Sequence, residues 1–282
     1  MIKCREMDDS DISAAVDLLT RSFKPPREYW QRAISRLAGR PPVDGFPKYG
    51  FVLVDDSRIV GVLLLITTRV RINGVTENRT NVSSWCVEPA YRGYATILSM
   101  LATRRLDTTY FNTTPGVHTW KIIERHGFER FATGRVVALP ALCPSPRGAN
   151  VQEISSRLLP GLKLDQGEID LLMDHKAYGC LSLVCEFAGV QYPFVFVRQF
   201  RYGFLPLAHL IYCRHINDFA RFAGTLGRFL LRRGFAVVVM DADEMMPGLV
   251  GKYFGHRPRY RKGGTAIHLG DVAYSEQALF GF

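Results

Sequence analysis

The residues with the clearest chemical meaning form a turn between an apolar strand and a helix. The strand ends at Pro89, and the pair Arg92 and Gly93 stands just before the helix. The first N–H groups of a helix have no partner inside the helix and carry partial positive charge, so they bind anions. Gly93 allows a ligand close to the backbone, Arg92 adds a positive charge, and the small side chain of Ala95 leaves the approach open. The turn therefore predicts a cradle for a pyrophosphate group.

The elements around this turn predict a mixed α/β domain in the first half of the chain. Apolar alternation, caps and Pro or Gly breaks indicate a strand, two helices, three antiparallel strands, and then helix, strand, helix and strand. Asn73 and Gly74 indicate a hairpin turn within the three-stranded meander. The predicted strands cover residues 2–5, 51–54, 59–70, 76–87, 108–112 and 128–139, and the predicted helices cover residues 11–22, 27–38, 94–105 and 117–126.

The second half of the chain repeats the order of elements without repeating the turn. Residues 141–150 contain two prolines and a glycine and are the best candidate for a linker. We therefore predict two domains, residues 1–142 with the anion-binding turn and residues 150–282 as a degenerate second copy of the fold. Beyond the linker, the sequence predicts helices at residues 151–159, 166–178, 217–233 and 249–254 and strands at residues 181–187, 194–201, 207–213 and 235–240.

The turn and its surroundings resemble the acetyl-CoA-binding motif of the GNAT superfamily of N-acetyltransferases. That motif reads Val-x-Pro-x-x-Arg-Gly-x-Gly/Ala between a strand and a helix, and the matching residues are Val87, Pro89, Arg92, Gly93 and Ala95. A strand at TYFNTT and a helix that ends at ERHGFER also match, so the resemblance covers about the first 140 residues. It implies a GNAT fold of mixed α/β class, in tandem, with a second copy that lacks a recognisable cofactor motif.

The resemblance also implies where acetyl-CoA binds. The strand that ends at Val87 would pair its backbone with the pantetheine arm through Trp85, Cys86 and Val87. Acetyl transfer in this family is direct, because an amine attacks the thioester carbonyl while the sulfur leaves. This step requires orientation of both reactants, a hydrogen-bond donor to the oxyanion and an acceptor for the proton of the amine. The pyrophosphate would be held by the backbone amides of Arg92, Gly93, Tyr94, Ala95 and Thr96.

The sequence departs from the family pattern at three positions. Ile97 stands where the family often has a second glycine. Ile123 replaces a tyrosine that often protonates the departing thiolate, and Gly116 replaces the usual asparagine. The usual general acid is therefore missing, and another group would have to supply the proton.

Four residues are candidates for the chemistry at the thioester: Cys86, Glu88, Tyr110 and His118. Cys86 could be a nucleophile that forms a covalent acyl intermediate, although a buried apolar role is favoured for a lone cysteine on a strand. Glu88 lies at the strand end, where a carboxylate could accept the amine proton, and an exposed loop carboxylate is the alternative. His118 begins the next helix near the expected thioester. The missing acid would have to be replaced by Tyr110, Tyr94, His118 or solvent.

Composition places the chain among ordinary globular proteins. It has 282 residues, of which 47% are hydrophobic and 22% are charged, and no apolar run reaches the ~18–20 residues of a membrane span. The N-terminus lacks the apolar segment of a signal peptide, so we predict a cytoplasmic protein without a membrane partner. The six cysteines show no close pair, so neither a disulfide framework nor a metal site is predicted.

Net charge is compatible with three interpretations. The formal charge of +10 fits a phosphorylated cofactor, nucleic acid or a merely basic surface. The leading hypothesis is an N-acetyltransferase that moves the acetyl group of acetyl-CoA to a primary amine of a small molecule or protein. A non-catalytic protein that binds or senses CoA is the second hypothesis, because of the three departures. A tandem aminoacyltransferase that uses charged tRNA is the third, and it ranks last because the turn favours CoA over nucleic acid.

Overall fold

Two units make up the chain in the computed structural model, which describes residues 1–72, 75–201, 205–264 and 267–281. The first unit comprises residues 1–129, 260–266 and 274–280, and the second comprises residues 130–259, 267–273 and 281–282. The described helices are α1 Ile12–Ser22, α2 Arg27–Ala38, α3 Ala95–Ala102, α4 Trp120–Arg125, α5 Gln166–Ala177, α6 Ile216–Leu231 and α7 Glu276–Leu279. The described strands are β1 Ile2–Glu6, β2 Gly50–Asp55, β3 Arg58–Ile72, β4 Val75–Val87, β5 Thr108–Asn112, β6 Glu129–Ala132, β7 Gly134–Ala138, β8 Asn150–Glu153, β9 Leu181–Phe187, β10 Val190–Arg201, β11 Leu205–Cys213, β12 Val237–Ala242, β13 Gly251–Phe254 and β14 Arg259–Lys262.

The first unit is built on a sheet whose strands follow the order β1-β2-β3-β4-β5-β14-β6. β1 to β4 pair antiparallel, and β5 runs parallel to β4. A capping box at Asp8 starts the helical segment that leads into α1, because its carboxylate accepts a backbone N–H of the first turn. Leu63 and Leu65 of β3 pack with Leu98 of α3 in the core of this unit. This packing fixes α3 against the sheet and therefore fixes the start of α3 relative to β4.

The elements predicted for residues 1–126 are all present in the first unit. Their observed ends lie within three residues of the predicted ends, and α4 is preceded by the short 3-10 helix Val117–Thr119. Local periodicity and caps are sufficient here because each element is long or clearly bounded. The predicted hairpin turn at Asn73 and Gly74 lies outside the described residues.

The second unit is built on another sheet, whose strands follow the order β13-β7-β12-β11-β10-β9-β8. Phe219, Phe222 and Leu226 of α6 pack into its core. Residues 140–144 run closely along α6, although residues 141–150 were expected to form a linker. A Cβ on Gly227 would lie 2.2 Å from the backbone nitrogen of Ala141. This segment is therefore a packed part of the second unit.

Three of the predicted elements are wrong. Residues 128–139 form two strands, β6 and β7, which belong to different sheets, instead of one strand. Residues 151–159 contain the end of strand β8 and no α-helix, and residues 249–254 contain β13. A short apolar stretch does not distinguish a strand from a helix by its period alone. Pairing of β8 with β9 and of β13 with β7 decided these two cases.

The described residues were compared with what a disulfide, a metal site and a membrane-spanning helix each require. All six cysteines carry free thiols. No group of three or more His, Cys, Asp or Glu side chains in this part of the chain converges as a metal site would require. None of the described helices has the length and hydrophobicity that a membrane span requires.

Candidate functional site

Strand β4 separates from β5 shortly before the predicted turn. The last paired residues of the two strands are Asn81 of β4 and Phe111 of β5. Within the described chain, no strand pairs with the β5-facing edge of residues 82–87. Backbone N–H and C=O groups need hydrogen-bond partners. The end of β4 therefore offers a backbone edge to an extended ligand.

A bulge changes the course of β4 in the same stretch. Val62 of β3 faces Cys86, whereas Leu64 faces Ser83, so β4 contains one residue more than its partner over this interval. Ser84 has a positive φ of 51°, which is uncommon for a residue with a side chain. A bulge bends its strand and redirects the side chains that follow. The side chains after Ser84 therefore point in directions other than those of a regular strand.

A cavity of about 810 Å³ lies beside this end of β4. Its volume is within the range of sites for small ligands and cofactors, roughly 300–1,000 Å³. Residues from α1, β4, the turn and the segment around the start of α4 line it. The predicted site residues that the structure brings together here are Trp85, Cys86, Val87, Glu88, Arg92, Ala95 and His118.

The predicted anion-binding turn adjoins this cavity. Pro89–Tyr94 form a 3-10 helix that leads directly into α3, and no side chain caps the first turn of α3. The N–H of Ala95 donates to the carbonyl oxygen of Arg92, so the prediction that this amide is free for an anion is wrong for the protein without ligand. Arg92 lines the cavity and forms no ion pair with the described residues. A Cβ on Gly93 would meet no atom within 4 Å, and the backbone of Gly93 is not left-handed, so the fold itself does not require glycine. Gly93, Tyr94 and Thr96 are exposed but, unlike Arg92 and Ala95, do not line the cavity.

Two arginines hold the carboxylate of Glu88 at the end of β4. Nη1 of Arg58 lies 2.9 Å from Oε2 of Glu88, and Nη2 of Arg21 lies 3.4 Å from Oε1. The Glu88 side chain is only 20% exposed, so solvent screens these pairs incompletely. Each oxygen of Glu88 therefore already lies beside a guanidinium group, which leaves less room for a reacting amine.

Burial controls the chemistry of Cys86. It raises the pKa of the Cys86 thiol to about 11. A thiol with this pKa is protonated at neutral pH, whereas the thiolate is the nucleophilic form. The environment of Cys86 therefore argues against a covalent acyl intermediate and favours an apolar lining role.

The two remaining candidates for acid–base chemistry lie in different places. His118, in the 3-10 helix before α4, is exposed and lines the cavity. Tyr110 does not line it: this side chain is 2% exposed and packs in the core of the first unit. Its hydroxyl accepts a hydrogen bond from the backbone nitrogen of Arg105 at 3.2 Å. We therefore leave Tyr110 out of the chemistry that we propose below.

Helix α1 forms one wall of the cavity, which the sequence did not predict. Leu18 and Ser22, one helical turn apart, line the cavity together with Arg21 and the following residue Phe23. The amphipathic pattern of α1 could have indicated a face toward the sheet. It could not have indicated that the end of this face meets β4, because that depends on helix placement.

Comparison with known proteins finds a family model for the part of the chain that contains most of the cavity-lining residues. Residues 3–115 match the family model described as the acetyltransferase (GNAT) domain. The chain contains a GNAT domain. No curated protein matches the chain significantly in sequence.

Solved structures of GNAT proteins resemble nearly the whole chain. The GCN5-related N-acetyltransferase of Anabaena variabilis has a TM-score of 0.59 at 9% identity, over 93% of this chain and 72% of that one. The GCN5-related N-acetyltransferase of Kribbella flavida has a TM-score of 0.58 at 12% identity, over 93% and 70%. A putative acetyltransferase of Pyrococcus horikoshii has a TM-score of 0.57 at 14% identity, over 97% and 93%. The predicted mixed α/β GNAT fold is confirmed, and the two sheets are consistent with a tandem arrangement.

The departures from the GNAT pattern have distinct locations in this domain. Ile123, at the position where the family often has a tyrosine, is buried in the core and is 3% exposed. Ile97, on α3, is 51% exposed, so its side chain does not pack in the core. At Gly116, a Cβ would lie 2.9 Å from Cε1 of His118, so the histidine ring lies directly over this glycine. The small residue at position 116 therefore leaves room for the observed position of the His118 ring.

Proposed function

We propose that the chain is an N-acetyltransferase whose first unit binds acetyl-CoA and transfers the acetyl group to a primary amine. The observation that carries the proposal is one cavity that adjoins both the unpaired edge of β4 and the cationic turn at Arg92. The amides of a pantetheine arm suit a strand edge, and a pyrophosphate suits the start of a helix. The second unit has no comparable turn, so we propose that it works without a cofactor of its own.

Each group of lining residues has a role in this proposal. The backbone of Trp85, Cys86 and Val87 would hold the pantetheine arm, and the thioester supplies an acyl carbon that an amine can attack. His118 is the proposed proton-transfer residue, because it lines the cavity and forms no ion pair with the described residues. The pyrophosphate would bind at residues 92–96, through the side chain of Arg92 and backbone amides of this turn. The N–H of Ala95 would first have to leave the carbonyl oxygen of Arg92, to which it donates in the absence of a ligand.

Calorimetric titration with acetyl-CoA tests the cofactor site. We expect R92A to raise the Kd at least about tenfold, which corresponds to ~1.4 kcal/mol. R104A is the matched control, because Arg104 is an exposed arginine just beyond the other end of α3. Its Kd should equal that of the wild type. Absence of wild-type binding at high micromolar acetyl-CoA would contradict the cofactor assignment, and equal effects of both variants would contradict the assigned location.

A CoA-binding protein without catalysis is the second candidate function. It is favoured by the burial of Ile123, since no tyrosine stands at that position to protonate a departing thiolate. Release of free CoA in the presence of a broad panel of primary amines separates the two candidates. Turnover that is lost in H118A supports the enzyme, whereas tight binding without turnover supports the binding protein.

A further inference from the structure

A distant segment of the chain bridges β4 and β5 where the two strands separate. Helix α7 belongs to the first unit and is buried along its whole length. The carboxylate of Glu276, its first residue, accepts hydrogen bonds from three hydroxyl groups. These belong to Ser83 on β4 and to Thr113 and Thr114, which follow β5, with a distance of 3.2 Å for Thr113. One side chain therefore connects both strands beyond the end of their backbone pairing. We call these contacts of Glu276 the bridge.

The backbone of α7 also contacts β4, at the residue where the pairing of β4 with β5 ends. The N–H of Glu276 donates to Oδ1 of Asn81 at 2.8 Å, and Nδ2 of Asn81 donates to the carbonyl oxygen of Phe111 at 3.1 Å. Asn81 and Phe111 are the last pair of residues in the β4–β5 ladder. Connection through α7 thus begins at the residue pair where direct connection between the strands ends.

The chemistry of the bridge favours a geometric role. Glu276 is 3% exposed, and no lysine or arginine of the described chain forms an ion pair with it. A buried carboxylate is costly unless hydrogen bonds satisfy it, and here all of its donors are hydroxyls from the two separated strands. The Oγ of Ser83 also lies 2.9 Å from the Oγ of Ser84, the bulge residue. The bridge therefore extends to the bulge that precedes the cavity-lining residues.

We propose that Glu276 is a positioning residue that sets the separation of β4 from β5 and the course of the bulge at Ser84. For its ligand, this inference rests on the proposed acetyl-CoA site, because the separated edge is the one to which the pantetheine arm would bind. The bridge itself is a property of the protein without ligand, so it can be tested separately.

Three variants separate positioning from general loosening of α7. E276A removes the bridge, E276Q keeps a side chain of the same shape that can hydrogen-bond the hydroxyls, and L279A removes buried apolar contact from the same helix. We expect the Kd for acetyl-CoA to rise at least tenfold in E276A and to stay within threefold of wild type in E276Q and L279A. Equal weakening in E276A and L279A would overturn the proposal, because it would indicate a merely structural helix.

Hydrogen exchange without ligand tests the bridge independently of the cofactor. We expect E276A to accelerate exchange at residues 82–87 and 111–114 at least tenfold, whereas L279A accelerates it mainly at residues 274–280. Unchanged protection of residues 82–87 in E276A would overturn the proposal even if acetyl-CoA binds well. If E276A does not fold, T114V removes one donor after β5 and should show the same pattern to a smaller extent. Failure of the wild type to bind acetyl-CoA, with the exchange pattern present, would remove the proposed function and keep the bridge.

Discussion

Residues that line the same cavity differ in their surroundings, and the roles that we propose for them rest on this difference. Glu88 is held by two arginines, and Cys86 is kept protonated by burial. His118 has neither constraint and is exposed to the cavity. Proximity to a candidate reaction centre is shared by all three, so electrostatic environment decides among them. Proton transfer by His118 with direct attack of the amine is the arrangement that these surroundings favour.

Replacement of Cys86 tests direct transfer against a covalent intermediate. We expect C86S to retain kcat for acetyl transfer within about threefold, because a thiol with a pKa of about 11 does not act as a nucleophile at neutral pH. Steady-state kinetics and mass spectrometry of the protein after incubation with acetyl-CoA measure this. A loss of activity of more than a hundredfold, together with an acetyl adduct on the wild type, would favour the covalent route.

The buried carboxylate of Glu276 gives the protein a pH dependence with a defined sign. Burial raises the pKa of Glu276 above its ordinary value of 4.5. The folded protein then holds this proton more tightly than the unfolded chain, so the associated stability is present below pH 4.5 and is lost as pH rises through the folded-state pKa. Tyr29 interacts with Glu276, but burial raises its pKa as well, so it does not titrate in this range.

E276Q isolates this effect in thermal unfolding. We expect the melting temperature of E276Q to increase relative to wild type as the pH is raised from about 4.5 to 8, because the amide does not ionise. D44N, which removes one exposed carboxylate from the same unit, is the control for the loss of a negative charge. A difference between E276Q and wild type that is independent of pH would contradict the assignment.

At the scale of elements, close approach of backbone segments determines where the two glycines of α6 occur. A Cβ on Gly224 would lie 2.2 Å from the carbonyl oxygen of Cys143, and one on Gly227 would lie 2.2 Å from the nitrogen of Ala141. Both glycines lie inside a helix, where alanine would be favoured by up to ~1 kcal/mol. Close packing of the segment before β8 on α6 thus requires glycines in α6, although glycine has low helix propensity.

Alanine substitution measures this packing. We expect G227A to lower the free energy of unfolding by about 1–3 kcal/mol, the usual range for overpacking, in spite of the gain in helix propensity. G161A is the matched control, because a Cβ there would meet nothing within 4 Å and its backbone is not left-handed. Denaturant unfolding of both variants provides the comparison. Equal stability of G227A and G161A would show that residues 140–144 do not pack on α6 in solution.

At the scale of the whole molecule, the excess of positive charge is distributed beyond the candidate site. The chain carries a formal charge of +10. In the second unit, Arg147, Arg228 and Arg232 line one cavity of about 340 Å³. Such groups attract polyanions without selecting among them. Net charge is therefore compatible with weak association with nucleic acid and does not by itself support a tRNA-dependent reaction.

Binding of tRNA at two salt concentrations tests this interpretation. We expect weak binding that falls on the order of 10- to 100-fold between 50 and 200 mM salt, as about three phosphate contacts would produce. Aminoacylated and deacylated tRNA should bind equally. Affinity that persists at the higher salt and prefers the aminoacylated form would favour the aminoacyltransferase hypothesis over acetyl transfer.

The sequence by itself determined the elements of residues 1–126 and the turn of the GNAT domain. Periodicity, caps and turn residues act locally, so helices such as α1 and the turn at Gly93 can be predicted from neighbouring residues. Short strands such as β8 and β13 were not predictable in this way, because a few apolar residues fit either period. Their partners in the sheet, which lie far away in sequence, decided the outcome.

Only the tertiary structure decided how the candidate residues are arranged and charged. Sequence spacing placed Tyr110 and His118 on equal terms, whereas packing put Tyr110 in the core and His118 beside the cavity. The pairing of Glu88 with Arg58 and the contact of Glu276 with Ser83 join residues that are distant in sequence. Electrostatics and burial depend on distances in space, and these distances exist only after the chain has folded.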